Sequence, residues 1–75
     1  MPTPEELQTR IEDAIPGAKA VVVDTTGTQD HFRAEVSSPA FAGLSRIAQH
    51  RLVYDVFGDE IGGAIHALSL KTEPS

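Results

Sequence analysis

Seventy-five residues, no cysteine and a formal charge of −5 bound what this chain can be. A chain this short buries only about 60% of its unfolded surface, enough for one modest core but not for the walls of a deep, self-contained pocket. Missing cysteines exclude a disulfide framework and a self-sufficient thiolate-held cluster, and six Lys and Arg against eleven Asp and Glu disfavour indiscriminate nucleic-acid binding.

The first signal is Thr3-Pro4-Glu5-Glu6, a helix start with Thr3 as cap, Pro4 at the first helical position and Glu6 closing a capping box. Leu7, Ile11, Ala14 and Ile15 follow on one apolar stripe until Pro16-Gly17 ends the helix. Ala18 to Asp24, with three successive valines, predicts a strand. Thr25 to Asp30 is a polar turn. Phe32, Ala34 and Val36 then alternate with polar residues, the pattern of a half-buried second strand that pairs with the first as a hairpin. His31 stands where the turn meets that strand.

Ser38-Pro39 starts a short helical turn that Gly43 stops, and Ser45 caps a longer helix running to Phe57 and ended by Gly58. Leu44, Ala48, Leu52 and Val56 are expected to form its apolar stripe. Val53, Tyr54 and Phe57 lie outside it, on the side of His50. Arg51 falls toward Leu44 and Ala48, where an ion pair or a sheet-edge contact is expected. Asp59-Glu60 reads as solvated charge in a loop reaching Gly63, Ile65 to Leu70 as the third strand, and Lys71 to Ser75 as a frayed tail. The order α-β-β-α-α-β predicts an α+β, two-layer fold, with helices on one face of a small three-stranded mixed sheet. No repeat or linker divides it, so residues 1–75 read as one domain.

Candidate chemistry rests on His31, His50 and His66, the soft metal ligands of the chain apart from Met1. His66 alternates with Leu68 and Leu70, so the residues alone leave two readings: a histidine satisfied at the edge of the core, or a rim histidine free to ligate. His31 is a solvated turn residue or a second ligand. The latter requires the second and third strands to run parallel and start at the same end of the sheet. His50 and Arg51, adjacent in a helix, diverge by about 100° and serve scaffold or docking rather than one contact. There is no nucleophile–base–orienter set and no phosphate loop, so no enzyme is expected. No apolar run approaches the roughly 18 residues of a membrane span and no leader opens the chain, so a soluble cytoplasmic protein is expected.

Three motifs in order carry a family resemblance. Phe32 to Ser38 followed by Phe41-Ala42-Gly43-Leu44-Ser45 resembles the strand, serine pair and Phe-x-Gly-x-Ser segment of the BolA-like family. Ile47-Ala48-Gln49-His50-Arg51-Leu52-Val53-Tyr54 resembles its Val-x-Arg-His-Arg-x-Val-Tyr helix, and Ile65-His66-Ala67-Leu68-Ser69-Leu70-Lys71 resembles its Ile-His-Ala-Leu strand. The resemblance implies a fold similar to the class II KH domain and two roles. One is partnership with a monothiol glutaredoxin and its glutathione around a shared [2Fe–2S] cluster, in iron–sulfur trafficking and iron regulation; the isolated chain, a monomer or weak homodimer, binds none. The other is a stress-response transcriptional regulator that binds DNA.

In the first role the implied ligands are His66 and a Cys or His from the loop between the first two strands, for which His31 is the nearest candidate. Arg46, His50, Arg51 and Tyr54 are the implied docking residues for partner or nucleic acid. Two features depart from the family pattern. Gln49 stands where the family places an arginine, and the chain stops at Ser75, where many relatives add a helix. KH domains clamp a nucleic-acid backbone with Gly-x-x-Gly, whereas residues 41–45 hold a single glycine, so DNA binding is expected to be weak and salt-sensitive.

Overall fold

The computed structural model describes residues 2–75; Met1, the remaining soft ligand, lies outside them. Helix α1 spans Pro4–Ala14, strand β1 Lys19–Asp24, strand β2 His31–Ser38, helix α2 Arg46–Phe57 and strand β3 Ala67–Pro74, with 3-10 turns at Pro39–Phe41 and Gly58–Glu60. The sheet order is β1-β2-β3, with β2 antiparallel to β1 and parallel to β3. This is the expected α+β fold, with the 3-10 turn at Pro39–Phe41 standing where a short helical turn was predicted.

Local signals account for most of these elements. The Thr3 hydroxyl accepts from the Glu6 backbone N–H at 3.1 Å and that of Ser45 from Ala48 at 3.1 Å, so both helices begin at their predicted caps. Gly58 ends α2 with φ +54°, a conformation that costs glycine least. Gly17, at φ +69°, has a second constraint: a Cβ there would sit 2.8 Å from the Pro39 ring, so the turn after α1 packs directly on the 3-10 turn after β2.

The core is one cluster between the helices and the inner sheet face. Phe32, Ala34 and Val36 of β2 meet Leu7, Ile11, Ile15, Phe41, Val53, Phe57, Ile65 and Leu68, all buried. Arg10 of α1 forms a two-point salt bridge with Glu60, donates to the Val56 carbonyl and lies 4.9 Å above the Phe57 ring, tying α1 to the end of α2. The hydrogen bond from Arg10, and secondarily its charge, holds the Glu60 carboxyl below the ordinary glutamate range. Glu60 is therefore paired, not one of two simply solvated charges.

Three further expectations are corrected. Helix α2 buries Gln49, Val53 and Phe57, not the stripe of Leu44, Ala48, Leu52 and Val56; Leu44 and Leu52 are each 39% exposed. The cause is polar as much as apolar. The Gln49 amide donates to the Leu44 carbonyl at 3.0 Å and the Phe41 carbonyl at 3.4 Å, satisfying the loop that enters the helix and turning this edge inward. Arg51, on the opposite side, is exposed and is in neither ion pair found among the described residues.

Strand β3 begins two residues later than predicted and runs through the supposed tail to Pro74, pairing Lys71 with Glu35 and Pro74 with Ser38. Lys71 and Glu73 point to solvent from an edge strand, so their polarity is no obstacle to pairing. A smaller difference is Ala14, which is exposed; Ile15, just past the helix end, takes its place in the core.

Candidate metal centre

Parallel pairing of β2 with β3 places the two strand starts side by side, with His31 opposite Ala67. This meets the geometric condition for His31 to stand beside His66. The ring centroids of the two histidines are 4.9 Å apart and tilted by 52°. His31 is half-buried and His66 exposed, so the pair sits on a rim of the sheet. His66 precedes β3, which frees its ring from the inward-facing side occupied by Leu68.

The turn before β2 is built to hold this arrangement. The Asp24 carboxylate accepts from the backbone N–H groups of Thr26, Gly27 and Gln29 at 3.3, 2.9 and 3.0 Å. Gln29 takes φ +59°, the left-handed region that returns the chain to the sheet. Asp30 follows. Its carbonyl accepts from the N–H of His66 at 2.8 Å and of Ala67 at 3.0 Å, and its Oδ1 lies 2.9 Å from Nδ1 of His31. The Thr28 hydroxyl donates to the same oxygen. Hydrogen bonds from Thr28, then from His31, hold the Asp30 carboxyl below the ordinary aspartate range.

His50 does not join the other two histidines. With Arg46, Leu70, Lys71 and Thr72 it lines a cleft of about 380 Å³ between α2 and β3, and with Ile47, Arg51 and Tyr54 a shallower one of about 290 Å³. The Tyr54 hydroxyl donates to the Leu68 carbonyl at 2.9 Å, so Tyr54 fastens α2 to β3 two residues beyond His66. Arg46 and Arg51 are exposed. The fold thus separates a histidine pair from a surface carrying Arg46, His50 and Arg51. Asp30, which touches both halves of the pair, was not singled out; its one visible signal is its place immediately before His31.

A three-stranded sheet with its second and third strands parallel, packed against two helices, defines a small two-layer α+β class of domain. The BolA-like protein family model matches residues 8–75, and the chain belongs to that family. It is 53% identical over 49 residues to the UV-induced protein uvi31 of Schizosaccharomyces pombe, covering 65% of this chain and 46% of that one. It is 35% identical over 68 residues to the uncharacterized protein RP812 of Rickettsia prowazekii, covering 91% and 88%. The chain therefore spans under half of the first relative and most of the second. Among solved structures, a bolA protein homologue from Coxiella burnetii superposes with a TM-score of 0.75 at 38% identity, covering 96% of this chain and 90% of that one.

Proposed function

We propose that this chain is an adaptor that pairs with a monothiol glutaredoxin and places His31 and His66 on a shared [2Fe–2S] cluster. The observation that carries this is the histidine pair, 4.9 Å between ring centroids, at one end of two parallel strands. Two imidazoles ligating one ion at about 2.0–2.1 Å and near-tetrahedral angles have centroids roughly 5 Å apart, a spacing that supports reading the pair as donors to one metal centre. Two imidazoles on a single iron of such a cluster are established chemistry and raise its reduction potential. The chain contains no cysteine, so the other two ligands are thiolates from outside it: the glutaredoxin cysteine and bound glutathione. The cluster is cargo passed through the complex, and this chain contributes binding and half of the ligand shell.

Anaerobic mixing with cluster-loaded glutaredoxin, followed by visible absorption, circular dichroism and size-exclusion chromatography, tests the proposal. The expected result is a heterocomplex whose cluster spectrum differs from that of glutaredoxin alone, with His66→Ala losing the new features. An unchanged spectrum and no heterocomplex would end the adaptor reading. A complex whose spectrum is indifferent to His66→Ala would remove the ligand assignment alone.

A second reading, DNA binding, is favoured by the cleft where Arg46, His50 and Lys71 converge beside β3, in a chain that is otherwise acidic. A 46%-identical match over 46 residues, covering 61% of this chain and 43% of the relative, is to the DNA-binding transcriptional regulator BolA of Vibrio cholerae. With two or three cations in the cleft, affinity for duplex DNA should be weak and should fall by only about 10–40-fold between 50 and 200 mM salt. Binding that persists at physiological salt would put this reading first.

A further inference from the structure

Asp30 contacts both histidines of the pair, through different atoms. Its backbone carbonyl takes the N–H groups of His66 and Ala67, which sets where β3 starts and hence where the His66 ring stands. Its carboxylate reaches back to Nδ1 of the adjacent His31 at 2.9 Å. That carboxylate is itself held. Thr28 donates to the same Oδ1, and the Thr28 and Thr26 hydroxyls lie 2.6 Å apart, so a short relay of side chains runs along the turn into His31. Asp24 pins the backbone beneath it through three N–H groups.

We propose that Asp30 is a positioning residue that fixes His31 as the Nδ1–H tautomer and so presents Nε2 as its metal-binding nitrogen, while its carbonyl sets His66 alongside. This rests on the histidine pair being a metal site. The chemistry is direct. An ionised carboxylate accepts hydrogen bonds and donates none, and a neutral imidazole carries one N–H. The nitrogen facing Asp30 must therefore be the protonated one, and the lone pair is left on the other. Ligating histidines are commonly oriented in this way, and removing the outer carboxylate lowers metal affinity by about 10–100-fold. Asp30 and His31 side chains are 36% and 38% exposed, so the contact contributes orientation rather than much stability.

The test uses the full chain alone and needs no cluster. Long-range ¹H–¹⁵N correlation of the imidazoles at about pH 8, above the ordinary histidine range, should report His31 as Nδ1–H in the wild type. Asp30→Ala should shift it toward a mixture of tautomers, with the backbone bonds of residue 30, and hence the backbone spectrum of β2 and β3, kept. Zn²⁺, used as a single-ion probe, should bind the wild type and bind Asp30→Ala about 10–100-fold more weakly. Thr28→Val, which leaves the carboxylate in place, should give a smaller loss in the same direction.

An Nε2–H His31 in the wild type, a tautomer unchanged by Asp30→Ala, or Zn²⁺ binding that is absent or unaffected would each overturn the proposal. If all three expectations hold while cluster-loaded glutaredoxin remains unaltered by the chain, the partner reading fails and the role of Asp30 stands.

Discussion

Phe32→Ala is expected to remove most of the folding stability of the chain at 25 °C and leave it marginally folded. Phe32 is 1% exposed near the start of the central strand, flanked in register by Asp24 on β1 and Leu68 on β3, and is among the largest fully buried side chains. Truncating a buried phenylalanine costs about 3–5 kcal/mol, from lost transfer energy and the cavity that remains. Folded proteins hold roughly 0.05–0.15 kcal/mol per residue, or about 4–11 kcal/mol for this length, and small domains lie toward the low end. The loss therefore consumes most of the total. Urea unfolding followed by far-ultraviolet circular dichroism is the measurement, with Phe32→Leu as the volume-sparing control at about 1.5 kcal/mol or less. A Phe32→Ala variant that kept its midpoint to within the equivalent of 1 kcal/mol would show that the core collapses around the gap. The site shares this dependence, because Phe32 directly follows His31 and its burial anchors the strand start that carries the ring.

How much of this was legible in the sequence depends on whether neighbours in space were also neighbours in the chain. Caps at Thr3 and Ser45, the stop at Gly58 and the alternation through Phe32, Ala34 and Val36 are local signals, and the structure follows them. The buried side of α2 is not local. Two stripes at helical spacing compete there, and the choice falls to Gln49 because its amide caps carbonyls of the preceding loop. A glutamine scores as surface by composition, so the sequence pattern points instead to the neighbouring stripe, about 100° round the helix. For the same reason, the departure from the family arginine at position 49 changes a buried position, 6% exposed, rather than the outward basic face. Arg46 and Arg51 still present that face. The histidine pair was half legible: both residues stood out, and one register condition decided whether they met. Asp30 shows in the sequence only as the neighbour of His31, since an aspartate closing a turn is ordinary and only the parallel register places its carbonyl under His66.

Removing residues 71–75 is expected to destabilise the fold by about 2–6 kcal/mol, where a frayed tail would cost almost nothing. In the observed register Lys71, Thr72, Glu73 and Pro74 pair with Glu35, Val36, Ser37 and Ser38, and the Ser75 N–H donates to the Ser38 carbonyl at 3.2 Å. Their loss removes about four ladder hydrogen bonds at roughly 0.5–1.5 kcal/mol each. It also uncovers Val36 and Ser38, both buried in the intact fold. Ser38 matters beyond the ladder. Its hydroxyl donates to the Pro16 carbonyl at 2.6 Å and accepts from Ala40 N–H at 3.0 Å, so loosening this end of β2 releases the turn after α1 and the 3-10 turn together. For a domain of this size each kcal/mol moves Tm by about 4–8 °C, so thermal unfolding should fall by at least about 8 °C. Hydrogen exchange on the intact chain gives an independent measure. Residues of β3 that donate to β2 as far as Ser75 should be protected, and uniform rapid exchange after Leu70 would show that the strand ends there. The histidine pair lies at the opposite end of the same two strands, so whatever fraction of the truncated chain remains folded should keep His31 beside His66.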